Sequence, residues 1–245
     1  MSLERPCIYR LFLFCAVAAL SSACTSTAPA KNEKPIPQQE DRSSFRQFGK
    51  NDFDRFADVE MRENTLNLRL LMTKLYKRNP RELAKSGSSN VDERVRTTFE
   101  NTNGWRFKEI NELQGTDAIQ QAFQPDYTGD RVLSFIVGLQ TMLVKAHGGK
   151  SEFYLTDKLE PQNIYNAARN VEIAVWKLSN ARDDKGNLYL LSNEIKDAGH
   201  NLSFERTFGK IIGSLDLYAI SLSEKSQRGI TRIFQSLASA LFLPF

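Results

Sequence analysis

DRVLSFIVGLQTMLVKAHGG (Asp130–Gly149) is the stretch whose reading decides the fold. From Asp130 to about Ala146 it is apolar nearly all round. Val132, Phe135, Ile136, Leu139 and Leu143 fall on one side at helical spacing, and Leu133, Val137 and Val144 fall elsewhere. A helix without a broad polar face is normally surrounded by other helices, so this one is expected at the centre of the fold. It carries Arg131, Gln140 and Lys145 and is shorter than the ~20 apolar residues a membrane span needs. Gly148-Gly149 ends it.

Helical signals continue on both sides of this core. Asn51 can cap a helix that runs to about Arg78, with Phe53, Phe56, Leu66 and Leu70 along one side and Leu68, Leu71 and Leu75 along another. Asn79-Pro80 ends it, because the residue before proline is pushed away from helical angles. Pro80 opens a short helix before SGSSN. Shorter pieces are expected around Val91–Glu100, Trp105–Leu113 and Asp117–Phe123. Pro161 suits the first turn of another helix with Ile164, Ala168, Val171, Val175 and Leu178 at core spacing. DDKG (Asp183–Gly186) reads as a turn. Asn201 or Ser203 can cap a helix that turns Phe204, Phe208, Ile211, Leu215 and Tyr218 inward. A last helix would place Ile230, Ile233, Phe234, Leu237, Leu241 and Phe242 on one stripe, which fits self-packing better than docking of a partner. The expected class is all-α, a bundle of about six to eight helices. Phe153-Tyr154-Leu155 and Leu188-Tyr189-Leu190 are β-prone and leave room for one minor two-stranded element.

The chain has 245 residues with 33 basic and 29 acidic side chains, a net charge of +4 without any block of like sign. Neither nucleic acid nor a strongly acidic substrate is implied. Three cysteines occur, Cys7, Cys15 and Cys24. The first two lie in or before the apolar run Leu11–Leu20, which follows Arg5 and Arg10 and is itself too short to span a bilayer. A basic start, a short apolar core and the small residues Ser21, Ser22 and Ala23 describe a secretory signal peptide ending before Cys24. Once residues 1–23 are removed, Cys24 is the sole remaining thiol, so an internal disulfide or a zinc site with several cysteine ligands is excluded. Residues 24–49 are rich in Ser, Thr, Pro, Ala and charge and read as a linker reaching roughly 25–30 Å as a flexible coil. Residues 50–245 are expected to form the helical domain.

The run ending in Ser21-Ser22-Ala23-Cys24 resembles the lipobox of bacterial lipoproteins. It departs from that pattern at Ser21, where a branched apolar residue is usual; Leu20 lies one place further back. Ser21-x-Ala23 also suits the ordinary signal peptidase, so both readings cut before Cys24 and differ in whether lipid is attached. The resemblance implies a diacylglycerol thioether on Cys24, fatty acylation with palmitate-type chains, and a periplasm-facing domain. In the sorting rule of this class an Asp after the cysteine retains the protein at the inner membrane; Thr25 there implies the outer membrane. ENTLNLRLLMTKLYKRNP (Glu63–Pro80), HGGKSEFYL (His147–Leu155), YNAARNVEIAVWKL (Tyr165–Leu178) and LSNEI (Leu191–Ile195) resemble blocks of uncharacterised proteobacterial envelope lipoproteins. That likeness implies an address and a helical fold, and no reaction.

Few phrases invite chemistry. GGKS (Gly148–Ser151) lacks the earlier glycine of a phosphate-binding loop and follows a helix instead of opening one. Gly209-x-x-x-Gly213 reads as close packing of two helices in a soluble core. His147 and His200 each lie beside glycine near a helix end, where a backbone dipole favours His147 without any ligand. A metal site completed by Glu194 or Asp197 is the minor alternative. No residue is assigned to catalysis, a cofactor or a metal. The polar set Asn163, Asn166, Arg169, Asn170 and Glu172 lies along one helix, with the three asparagines at spacings of three and four. It is the candidate ligand cleft. The structural alternative is that these side chains satisfy neighbouring loops, LSNEI included.

The expected function is that of an outer-membrane lipoprotein tethered at Cys24 and acting as a binding or assembly factor for an envelope protein or small ligand. The alternatives are an envelope enzyme acting on cell wall or lipid, and a non-lipidated periplasmic binding protein.

Overall fold

The computed structural model describes residues 52–149, 159–196, 199–227, 229–230 and 241–245. Seven α-helices stand among them: α1 (Asp52–Arg78), α2 (Pro80–Lys85), α3 (Val91–Phe99), α4 (Gly115–Gln121), α5 (Arg131–Ala146), α6 (Pro161–Asn180) and α7 (Ser203–Ser226). The fold is an all-α bundle. Among the described residues one antiparallel ladder, β1 (Glu194–Lys196) with β2 (Gly199–Asn201), precedes α7.

Helix α5 is the centre, as its all-round apolarity dictates. Its buried residues include Val132, Leu133, Phe135, Ile136, Val137, Leu139, Met142 and Leu143. It packs against α1, α4 and α6, while α7 lies against α1 and α6, so α1, α5, α6 and α7 close a four-membered ring. Each of the outer three contributes a 3.6-period stripe. On α1 the stripe is Ala57, Met61, Leu68, Leu71, Met72 and Leu75; on α6 it is Ile164, Ala167, Ala168, Val171 and Ala174; on α7 it is Phe204, Phe208, Ile211, Leu215 and Tyr218. Phe135 joins them edge-to-face, 5.6 Å from Phe123 and 6.3 Å from Phe208 between ring centroids. No helix among the described residues is long and apolar enough to cross a membrane.

The boundaries follow local chemistry. Asp130 Oδ1 accepts the Leu133 N–H at 3.0 Å and starts α5. Asn90 Oδ1 accepts from Asp92 N and Glu93 N at 2.9 and 3.2 Å and starts α3. Pro80 and Pro161 open α2 and α6. In the Asp183–Gly186 turn the Lys185 and Asn187 amides donate to Asp183 Oδ1, holding its carboxyl below the ordinary value.

Several expectations are corrected. Between Trp105 and Leu113 the chain forms only a 3₁₀ turn, Lys108–Ile110, because Trp105, Asn111 and Glu112 all take left-handed angles that no α-helix admits. On α1, Leu66 and Leu70 face outward at 51% and 50% exposure, and the core stripe is that of Leu68, Leu71 and Leu75. Leu188 bridges Arg182 across the turn instead of joining a strand ladder, and Phe153-Tyr154-Leu155 lie outside the described residues. Asn201 Oδ1 accepts from the Ser203 N–H at 3.1 Å just ahead of α7, whose capping position is Leu202. Asn51 and most of the expected last helix, including Ile233, Phe234 and Leu237, are outside the described residues; Leu241 and Phe242 are not helical.

The glycines give the sharpest correction. Gly209 and Gly213 are exposed, and apart from their chain neighbours and the adjacent backbone of their own helix no atom of the described residues lies within 4 Å of a Cβ built at either. The close helix approach is at Gly138 instead, where a Cβ would stand 2.7 Å from Ile119 N and 2.8 Å from the Gly115 carbonyl oxygen. Helix α4 runs directly over that point of α5. Gly138→Ala is therefore expected to lower stability by about 1–3 kcal/mol through forced backbone displacement. Gly209→Ala and Gly213→Ala are expected to raise it by about 0.5–1 kcal/mol each, since alanine gains helix propensity there without a clash. Urea unfolding of the three variants checks both signs.

Candidate functional site

Three polar constellations organise the described side chains. The first surrounds the start of α5. The Tyr76 hydroxyl donates to Asp130 Oδ2 at 2.6 Å, and Arg94 reaches Tyr76 Oη at 3.4 Å, Asp130 Oδ2 at 3.5 Å and Glu109 at 3.2 Å. Burial and the adjacent Asp130 push the Tyr76 phenol above its ordinary value. Burial likewise raises the Asp130 carboxyl, opposed by the Tyr76 and Leu133 hydrogen bonds and by Arg94. Tyr127 is pushed up to about 12 by burial and by Asp130. Beside this group Glu82 Oε2 accepts the Arg131 N–H at 2.7 Å. The Arg131 guanidinium itself caps the end of α4, donating to the carbonyls of Ala122, Gln124 and Tyr127 at 2.7, 2.9 and 2.6 Å. All of this joins α1, α3, α4 and α5 into one body.

The second constellation lies between α1, α5 and α7. Asn64 donates to Glu60 Oε1, and Ser214 Oγ donates to Asn64 Oδ1 at 2.8 Å. Glu60 Oε2 stands 2.9 Å from His147 Nε2, with both side chains almost wholly buried. His147 Nδ1 lies 2.8 Å from the Leu143 carbonyl oxygen, which only accepts, so Nδ1 carries a proton. The imidazole stacks on the Tyr218 ring at 5.6 Å. His147 is thus committed to a buried, carboxylate-paired position at the end of α5, where a substrate has no access. Sequence reading assigned it only to the helix end. The available signal was Glu60 and Asn64, which fall within the buried repeat of α1.

The third holds the predicted cleft row on α6. Asn166 and Asn170 are buried, and Asn163, Arg169 and Glu172 are half-buried. Asn170 makes a two-way contact with the main chain of Leu243: Nδ2 donates to its carbonyl at 2.9 Å and Oδ1 accepts its N–H at 2.6 Å. Asn166 Nδ2 donates to the Pro244 carbonyl at 2.8 Å, while its Oδ1 accepts from Gln162 Nε2 at 2.8 Å. Phe242 and Phe245 pack against the core, with Lys177 and Lys145 near their ring faces. Arg169 turns the other way. It grips both carboxylate oxygens of Asp216 on α7 at 2.9 and 2.7 Å, and it approaches Glu172 at 3.1 Å. Burial raises the Glu172 carboxyl, and Arg169 opposes that shift.

The row therefore splits. Asn166 and Asn170 hold the non-helical segment Leu241–Phe245 through its main chain; Arg169 and Glu172 belong to a contact between α6 and α7. The loop expected to satisfy these amides, LSNEI, is held instead by Asn79, which donates to the Leu191 carbonyl and accepts its N–H at 2.9 and 2.8 Å. Among the described residues no group of three His, Cys, Asp or Glu is placed to hold a metal ion. Glu194 pairs with Arg78 at 3.3 Å, and Asp197 lies outside the described residues.

Comparison with known protein families, with curated proteins and with solved structures finds no match.

Proposed function

We propose that the chain is an outer-membrane lipoprotein, anchored through lipid on Cys24, whose helical domain faces the periplasm and acts as a binding or assembly factor for envelope proteins. The observation that supports the binding role is the pair Asn166 and Asn170, whose side-chain amides take the main chain of the chain's own non-helical segment at Leu243 and Pro244. Amides in this arrangement recognise; they neither donate a labile proton nor supply a nucleophile. The anchor rests on the basic, short apolar run that ends at Cys24. A tether of residues 24–49 would keep the domain within roughly 25–30 Å of the bilayer.

A second reading, an envelope enzyme acting on cell wall or lipid, draws on the half-buried Glu172 with its raised carboxyl beside Arg169. Photocrosslinking in cells from the exposed positions Leu217 and Leu241 separates the two. The binding reading expects one or a few envelope proteins captured from Leu241, with capture lost in Asn170→Leu and kept in Glu172→Gln. Capture indifferent to Asn170, together with a phenotype lost in Glu172→Gln, would favour the enzyme.

A further inference from the structure

We infer that the outward strip of α7 is a homodimer interface, on which a second copy of this chain lays its own α7 antiparallel. The strip carries Gly209, Gly213, Leu217 and Ile220, all exposed, at spacings of four, four and three that keep them on one face. Leu217 and Ile220 are 58% and 45% exposed. They belong to a larger apolar surface. Of the nine large apolar side chains left exposed among the described residues, six lie on α1 and α7, which pack against each other: Phe56, Val59, Leu66, Leu70, Leu217 and Ile220. Single exposed leucines are ordinary, whereas a concentration on two adjacent helices marks an interaction surface.

The charges along the strip select the occupant. Arg206 and Lys210 lie on its first half and Glu224 near its end, all exposed and none ion-paired with a described residue. The basic end is felt by Lys74 on α1, whose ammonium is held below its ordinary value by burial and then by Arg206. The other charges beside the strip are turned elsewhere. Glu205 accepts from Asn193, Asp216 is gripped by Arg169, and Lys225 stands roughly 100° round the helix from Glu224. A face basic at one end and acidic at the other repels a parallel copy and attracts an antiparallel one. With the two-fold axis at the level of Leu215, Arg206 of each copy faces Glu224 of the other, each nine residues from the axis. The same axis sets Leu217 over the other copy's Gly213. No described atom outside that glycine's own helix lies within 4 Å of where a Cβ would stand, so a leucine side chain has room there. Ile220 then meets the methylene stem of Lys210.

The test is sedimentation equilibrium of the full chain in density-matched detergent. The unsubstituted chain is expected to show a concentration-dependent dimer. The stability gain expected of alanine at either glycine is that of the separated monomer, so a larger side chain at this open position should also leave the fold intact. Gly213→Leu should therefore keep helical content while weakening the dimer roughly tenfold or more. Arg206→Glu and Glu224→Arg should each weaken it roughly fivefold or more, since each turns two attractions into two repulsions. Both exchanges in one chain should restore it. That restoration is not expected of side chains with a role only inside the monomer, and it is readable even should Gly213→Leu fail to fold. A monomer at every concentration, a dimer indifferent to Gly213→Leu in a folded chain, or a doubly exchanged chain no tighter than the single variants would each overturn the inference. Photocrosslinking in cells from Leu217 should give a self-conjugate; capture of other proteins alone would assign the strip to a foreign partner and overturn it as well. None of these outcomes depends on Asn170 or on the state of Cys24, so a failure here is distinguishable from a failure of the envelope reading.

Discussion

Asp130→Ala is expected to lower the stability of the domain by about 3–5 kcal/mol, the cost of removing one partner from a buried charged pair. In a domain of this size that corresponds to a fall in Tm of roughly 10 °C. Three losses coincide at one carboxylate. The Leu133 N–H loses its cap, the Tyr76 hydroxyl its acceptor at 2.6 Å, and the nearly buried Arg94 one of its counter-charges. Asp130→Asn keeps the shape and the Leu133 cap while removing the charge together with the Oδ2 acceptor that Tyr76 and Arg94 face. The sign of its pH dependence follows from burial, which holds the folded Asp130 carboxyl above its ordinary value of 3.8. A carboxyl raised in the fold takes up its proton there before it does in the unfolded chain. Its contribution to stability is therefore fully present below 3.8 and is lost as pH rises through the folded value. Relative to Asp130→Asn, the unsubstituted chain should gain stability as pH falls from neutral toward that value. A difference that grows in the opposite direction would show that Arg94 and the hydrogen bonds outweigh burial.

The second large effect is expected at Glu60. Glu60→Ala removes the carboxylate from His147 and the acceptor from Asn64, and it leaves a void among α1, α5 and α7. A loss of about 3–5 kcal/mol follows from stranding buried polar partners and from the cavity. Ser214→Ala, one step further along the chain of contacts, removes a hydroxyl that also has the Ile211 main-chain carbonyl oxygen of its own helix as an acceptor, and it should cost only about 1 kcal/mol. Thermal unfolding of the two variants measures the gradient. Equal effects would mean that the contacts act as one cooperative network instead of a graded series.

Much of the bundle was legible because its strongest determinants are local. An all-round apolar run has one solution, burial among helices, and α5 lies where that logic puts it. Asn79-Pro80 and Pro161 mark boundaries because proline geometry acts within a few residues. What escaped depends on distant partners. On α1 two leucine stripes were equally periodic, and only the position of α5 and α7 decides that Leu68, Leu71 and Leu75 turn inward while Leu66 and Leu70 do not. The glycine pair at Gly209 and Gly213 carries the familiar spacing yet faces outward, whereas Gly138, without any motif, bears the close approach of α4. The left-handed residues Trp105, Asn111 and Glu112 leave no mark in hydropathy.

The cleft row illustrates both sides. The spacing of Asn166 and Asn170 placed them correctly on one face, and the need of buried amides for partners was legible as well. That the partner is Leu241–Phe245 was not, since the two segments are 73 or more residues apart in sequence and meet only through the fold. Arg169 separated from the asparagines because its long side chain swings to Asp216 on α7.

The account is tested most directly by intact-mass and N-terminal fragment spectrometry of the native protein extracted from membranes. It predicts a first residue Cys24 carrying a diacylglyceryl thioether and fatty acylation. A first residue Cys24 with a bare thiol, or a chain that keeps residues 1–23, would contradict it.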